Sequence, residues 1–198
     1  MFYHVEGKIT DMEPNLVAVD CGGVGYAVYV TANTLSCLSL GEKAKLYISE
    51  SVGETNFDLY GFYTKSEKKC FEMLTSVSGI GPKAALSILS YNTPENLAFA
   101  IINNNEKALT VAPGIGKKIA QRVILELKDK IGKETSVADY SAPVAAAASG
   151  DSNMNEAMIA LNVLGYTGSD IAPVLKKLDT AGMTSEQIIK AVLKHMVK

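Results

Sequence analysis

Residues 78–85, Ser-Gly-Ile-Gly-Pro-Lys-Ala-Ala, and residues 113–120, Pro-Gly-Ile-Gly-Lys-Lys-Ile-Ala, are two versions of one segment, offset by 35 residues. Their residue types suit anion binding. Two glycines around one apolar residue let the main chain bend sharply while Ile80 or Ile115 anchors the bend, and the missing β-carbons admit a ligand close to the backbone. A helix that starts directly after such a bend has several N–H groups without internal partners. Its dipole adds about 0.3–1 kcal/mol for a well-placed anion. The chemistry implied is phosphate recognition by main-chain amides around Gly79, Gly81, Gly114 and Gly116. Lys83 stands beside the first bend, Lys117 and Lys118 beside the second, and Arg122 one helical turn further along the second helix. Backbone amides read no base edge, so a nucleic acid held this way is bound without regard to its sequence.

Other phosphate motifs fail on inspection. Residues 79–84 superficially fit the glycine-rich dinucleotide pattern, but the segment follows a helical pattern instead of a strand, and the second copy ends in Ile119. A Walker A loop would need Gly at 111 and Ser or Thr at 118, where Val111 and Lys118 stand. No catalytic residue is assigned: His4 and His195 lie at opposite ends, and no Cys–His–acid grouping is evident. No metal and no cofactor are expected, because the carboxylates show no ligand spacing and Cys21, Cys37 and Cys70 no paired spacing. One enzymatic alternative stays open, a helix-hairpin-helix lyase or nuclease in which Lys83 or Lys117 attacks as a Schiff-base nucleophile. A second alternative is a protein-interaction module in which the glycine bends are only structural.

The repeated segment sits in a helical context. Cys70, Phe71, Leu74 and Val77 follow three-and-four spacing from Lys65, with Gly79 placed to stop the helix. Helices are expected from Pro82 to about Tyr91, from Thr93-Pro94 through Ile102, over Glu106–Val111, and from about Lys117 to Ile131. The preceding residues read as short strands, Phe2–Asp11, Leu16–Asp20, Tyr26–Val30, Lys45–Val52 and Phe57–Tyr63, separated by turn residues. Tyr26, Val28 and Val30 share one face. A small closed barrel follows, of oligonucleotide-binding type, SH3-like, or neither. Residues 133–152 turn rich in Ala, Ser and Gly and read as a mobile linker. Beyond them come helices over Met154–Leu164, Asp170–Leu178 after a possible Ser169 cap, and Ser185–Val197 behind a Thr184/Gln187 capping box. The expected domains are 1–63, 64–132, the linker 133–152, and 153–198.

Charge divides along the same lines. The net charge of −2 conceals 3 Lys against 8 acids in residues 1–63, a net of −5; 10 cations against 6 acids in 64–132, a net of +4; and 6 against 7 in 133–198, a net of −1. Only the middle segment is suited to a polyanion, and an acidic remainder argues against a protein that merely coats nucleic acid. With 47% hydrophobic residues the chain has material for packed cores. No apolar stretch approaches the roughly 18–20 residues of a bilayer span, and the start MFYHVEGK has no basic-then-apolar pattern. A cytoplasmic protein without a membrane partner is expected, its few thiols reduced.

The run Asp58-Leu59-Tyr60-Gly61-Phe62-Tyr63, then Gly79-Ile80-Gly81-Pro82-Lys83, then Pro113-Gly114-Ile115-Gly116-Lys117-Lys118, resembles the RuvA family, Holliday-junction-binding subunits of the bacterial RuvAB branch-migration machine. The stretch Val19–Val28 resembles it too, and the likeness covers essentially the whole chain. It implies an α+β multidomain fold: an OB-like β-barrel, a tandem helix-hairpin-helix domain, and a mobile three-helix, UBA-like domain. It further implies sequence-independent binding of four-way junction DNA in recombination and repair, by a non-catalytic homotetramer or octamer. The ATPase is then a RuvB partner held by the C-terminal domain, with RuvC resolvase a further partner. Phosphate contact falls on Gly79, Gly81, Lys83, Gly114, Gly116, Lys117 and Lys118, with Arg122 beside them. The family's acidic pin, usually two adjacent acids, matches Glu54-Thr55, so one acid remains. In the C-terminal part, Leu164, Gly165 and Tyr166 could form an exposed apolar docking patch for RuvB; the rival is that Tyr166 closes the small core.

Overall fold

The computed structural model describes residues 1–135 and 152–196, apart from 165, 167, 179 and 181. Five strands, β1 (His4–Glu13), β2 (Leu16–Asp20), β3 (Gly25–Val30), β4 (Lys43–Val52) and β5 (Phe57–Phe62), close into a barrel in the order β1-β2-β3-β5-β4. The β3–β5 pairing is parallel and the other four are antiparallel. This connectivity, with the short helix α1 (Ala32–Ser36) between β3 and β4, decides what strand periodicity left open: the barrel is of the oligonucleotide-binding type. Alternation fills its interior with Val5, Ile9, Val17, Val19, Val28, Val30, Leu46, Ile48 and Leu59. Strand β1 runs two residues beyond its expected end, to Glu13, with a register shift between Ile9 and Asp11 on the way.

Helices follow in the order α2 (Lys65–Thr75), α3 (Pro82–Tyr91), α4 (Pro94–Ile102), α5 (Glu106–Thr110) and α6 (Lys117–Thr135). Their starts have visible causes. Thr64 and Thr93 side chains accept the Glu67 and Asn96 N–H groups, and Pro82 and Pro94 occupy first positions where a missing N–H costs nothing. Helix α6 runs past its expected end at Ile131 into the first residues of the expected linker. Residues 136–151 of that linker lie outside the described residues. The C-terminal helices are α7 (Ser152–Val163), α8 (Gly168–Leu175), which takes in Ser169, and α9 (Ser185–Met196). The Thr184/Gln187 capping box forms in both directions, at 3.0 and 3.3 Å. No helix among the described residues is long and apolar enough to cross a membrane.

A buried carboxylate fastens the barrel to the helices. Glu67 of α2 is only 4% exposed; its two oxygens accept the Thr31 hydroxyl at 2.5 Å and the Thr34 hydroxyl at 2.6 Å, and the Tyr63 N–H donates to the Thr34 oxygen at 2.9 Å. Helix α1, which holds this clamp, also reaches α3. Asn33 Nδ2 donates to Leu89 O at 2.6 Å, and the Ala32 N–H to Ser90 Oγ at 3.1 Å. An aromatic run through Tyr29, Tyr60, Phe71 and Phe62, with centroids 4.9–5.5 Å apart, packs the same junction. The orientation of the helical part on the barrel is thus set by directional bonds as well as by apolar contact.

Desolvation pushes the Glu67 carboxyl above the ordinary carboxylate range, against the opposing pull of the two threonine hydroxyls. The folded state therefore holds this proton more tightly than the unfolded chain does. The resulting stability is complete below the ordinary carboxylate range and is lost as pH rises through the higher folded value. Glu67→Gln, which keeps a neutral group in the clamp, escapes that loss. Urea unfolding of both proteins between about pH 4 and pH 8 is expected to show the variant gaining on the parent as pH rises; a flat or shrinking difference contradicts the assignment.

Candidate nucleic-acid interface

Both copies of the repeat build the same bend. In the first, the Ile80 N–H donates to Val77 O at 3.0 Å and Gly79 has φ +86°; in the second, the Ile115 N–H donates to Ala112 O at 3.1 Å and Gly114 has φ +82°. A bond spanning four residues with the third at positive φ is the type II turn. Pro113 fills its second position, where a fixed φ is an advantage. Ile80 and Ile115, each 5% exposed, sink into the helical core, while all four glycines stand at the surface.

Gly81 and Gly116 answer to a different demand. Gly81 caps α3 with φ −85° and ψ 170°, a conformation any residue adopts, and a β-carbon there would meet nothing within 4 Å. A β-carbon on Gly116 would also meet nothing, and Gly116 is not among the residues of positive φ. Nothing among the described residues requires glycine at these two places. A surface that must come into contact with the main chain does require it.

The first intrahelical bonds run from the Ala85 N–H to Gly81 O and from the Ala120 N–H to Gly116 O, both at 3.0 Å. Ahead of them, the amides of Lys83 and Ala84 in one copy, and of Lys117, Lys118 and Ile119 in the other, have no carbonyl within their own helix to bond. No side chain caps α3. Pro82 has no N–H, so the second bend offers one donor more than the first.

The cations are arranged less simply than their spacing suggests. Lys83, Lys117 and Lys118 are exposed beside their own bends. Lys117 Nζ lies 3.9 Å from Glu106, whose other oxygen accepts from Gln121 at 2.8 Å. Arg122, expected to serve the second bend, stands at the first: its Nη1 lies 3.7 Å from the place a Gly79 β-carbon would take. Glu126 holds it there, accepting from Arg122 Nε at 2.7 Å and from the Ser78 N–H at 3.2 Å. In return, Ser87 of α3 donates to Pro113 O of the second bend at 2.9 Å. Ser78 and Ser87 advanced by 35 residues become Pro113 and Arg122, so each bend is held by the helix that follows the other. The two copies are related by an approximate two-fold.

Glu54 is exposed at the tip of the β4–β5 hairpin, which is closed by the Gly53 N–H donating to Asn56 O at 2.8 Å. The side chains flanking the tip, Val52 and Phe57, are 72% and 54% exposed.

The RuvA N-terminal domain model matches residues 1–61, a SAM-like helix-hairpin-helix tandem model matches 71–129, and the RuvA C-terminal domain model matches 152–197. A relative from Ruminiclostridium cellulolyticum is 38% identical over 99% of this chain and all of its own length. Relatives from Clostridium botulinum (strain Loch Maree / Type A3) and Acetivibrio thermocellus are each 40% identical over the whole of both chains. All three are named Holliday junction branch migration complex subunit RuvA. The chain belongs to the RuvA family.

In this RuvA-family chain the C-terminal expectation needs correcting. Leu164 is fully buried and Tyr166 only 9% exposed, so neither contributes to an exposed apolar patch; Gly165 lies outside the described residues. The physical reason is a neighbour. The Lys69 ammonium of α2 sits 4.0 Å from the centre of the Tyr166 ring, and both Leu164 and Tyr166 belong to one apolar cluster with the central helices. Sequence reasoning also passed over Ser78, Ser87 and Glu126, although applying the 35-residue offset to Ser87 would have pointed to Arg122 as its counterpart.

The two kinds of glycine separate in a stability measurement. Gly79→Ala and Gly114→Ala force a β-carbon into the left-handed region and are each expected to cost about 1–2 kcal/mol in urea unfolding. Gly81→Ala and Gly116→Ala are expected to cost less, at most about 1 kcal/mol, since a helix N-cap prefers glycine to alanine while the stiffer unfolded chain offsets part of that. A large loss at 81 or 116 would mean that packing, not a ligand, demands glycine there.

Proposed function

We propose that this chain is the four-way-junction-binding subunit of a branch-migration complex, gripping the phosphates of junction arms with Gly79, Gly81, Lys83, Gly114, Gly116, Lys117, Lys118 and Arg122. The single observation that carries the reading is the pair of helix starts behind Gly81 and Gly116, where nothing among the described residues requires glycine. The approximate two-fold between the bends suits the two antiparallel rails of a duplex, one bend to each. Amides and ammonium groups on sugar-phosphate rails supply affinity without base readout.

Selectivity for the branched form is assigned to charge. The helical segment of net +4 holds the arms, while the barrel of net −5 presents Glu54 to the junction centre. In an assembly of four copies, four Glu54 carboxylates gather where the strands exchange, and they repel phosphates from that point. The C-terminal helices couple the junction to a RuvB motor, which supplies the ATP chemistry. RuvC is a further partner in this reading. The lyase alternative finds no support: the relatives carry a branch-migration name.

Gel-shift titration of a four-way junction and of its linear arms tests this. Tighter binding of the junction at physiological salt is expected; equal affinity contradicts the proposed role of charge. With about four phosphates neutralised per subunit, the logarithmic salt slope is expected near −3.6 per subunit, and Lys118→Ala should lower its magnitude by about 1. Gly81→Ala combined with Gly116→Ala should weaken junction and arms together while leaving the fold intact.

A further inference from the structure

Residues 1–63 contain only three lysines, Lys8, Lys43 and Lys45, and the register of β1 on β4 collects all of them on one seam: Lys8 opposite Lys43, Glu6 opposite Lys45, His4 opposite Tyr47. These positions alternate with the buried Val5, Ile9, Leu46 and Ile48, so their side chains face outward. Helix α2 extends the charge. Lys65 Nζ lies 5.6 Å from the Tyr47 ring centre and Lys68 Nζ 5.2 Å from that of Tyr3, while Tyr3 and Tyr47 meet edge to face at 6.3 Å. Tyr3 and Tyr63 remain 58% and 45% exposed. A groove of about 350 Å3 is lined by Leu38, Tyr47 and Tyr63 together with Glu42, Lys43 and Lys45.

Intramolecular acids answer this charge only in part. Glu6 lies 4.0 Å from Lys45, and Glu72 3.6 Å from Lys68. Asp20 neighbours Lys8 from β2, but its carboxylate accepts the Gly23 N–H at 2.7 Å. Among the described residues no ion pair engages Lys43 or Lys65. Like charges directly opposite in a sheet are unfavourable, and Asp20 across from Lys8 on β2 offsets the Lys8–Lys43 repulsion only in part, so a further anion is favoured there.

The tyrosines select the class of anion. Exposed phenol rings set among ammonium groups suit unpaired bases, which stack on the ring faces while the phosphates meet the lysines. An acidic peptide makes no use of ring faces, and a duplex keeps its base faces covered. The place is also separate from the bends. Lys43 begins β4 and Glu54 lies beyond its other end, roughly 34 Å away for ten extended residues. Lys68 stands about 10 Å of helical rise before the end of α2 at Thr75, past which the first bend opens.

We propose that the β1–β4 seam and its groove bind single-stranded nucleic acid, with Lys43, Lys45 and Lys65 on phosphates and Tyr63 and Tyr3 under bases. The test uses the full chain and a fluorescent oligo-dT of about 15 nucleotides, a length within reach of such barrels. Tyr63→Ala is expected to weaken oligo-dT binding about tenfold, as the loss of one stacked base does, and Lys43→Glu with Lys45→Glu to weaken it further. Both variants should keep their grip on linear duplex, whereas Gly81→Ala with Gly116→Ala should lose duplex and keep oligo-dT. Failure here is therefore distinct from failure of the junction reading. Thermal melting establishes folding, and Tyr63→Ala alone carries the test if the charge reversal does not fold. Unchanged oligo-dT affinity in the seam variants overturns the proposal. So does a change confined to their sedimentation, which would make the seam a contact between copies, or poly-glutamate binding as tight as oligo-dT and indifferent to Tyr63→Ala.

Discussion

A chain that leaves one helix and enters another within a few residues must dispose of the first helix's last carbonyls without spending the second helix's first amides. The type II bends at Gly79 and Gly114 do this by bonding the Ile80 and Ile115 amides backward, to Val77 and Ala112. That is possible only with a left-handed third residue. The donors of α3 and α6 are left facing solvent, and everything assigned to the interface depends on that orientation. The apolar residue between each pair of glycines keeps it in place, since Ile80 and Ile115 are buried and the bend cannot rotate without exposing them.

The rest of the helical part serves to hold two such bends at a fixed separation. Each is secured by the other's helix, through Ser87 on one side and the Arg122–Glu126 pair on the other. An exposed ion pair of this kind contributes little to stability, typically about 0.3–0.5 kcal/mol. Its consequence is positional, because it fixes a guanidinium over Gly79. The Glu67 clamp extends the same rigidity to the barrel, so that the acidic hairpin tip stands in a set relation to the bends. The barrel in turn is polarised along β4, with lysines at one end and Glu54 beyond the other. A net charge of −2 hides all of this, since charge acts through its distribution and not its sum.

Local signals in the sequence were legible where local physics decides the outcome. Glycine pairs around isoleucine, proline at first helical positions and the Thr184/Gln187 box each act within a few residues, and the bends and most helix limits follow from them. What escaped depends on pairing across the chain. Strand alternation is common to several barrels, so only the parallel β3–β5 contact separates them. Glu67 reads as an ordinary helix charge because nothing local shows that Thr31 and Thr34 wait on its buried side. Arg122 was placed by proximity in sequence, whereas the two-fold carries it to the opposite bend. Tyr166 was left between solvent and core, and Lys69, nearly a hundred residues away, brings it to the core.

The central claim concerns particular amides, and hydrogen–deuterium exchange reads them directly. On saturation with a four-way junction, the segments over residues 81–84 and 116–119 should exchange more slowly in the same titration, because both sets of donors are taken up by phosphate. Exchange at both segments unchanged from the free protein, with the junction demonstrably bound and protection confined to other surfaces, would contradict the account.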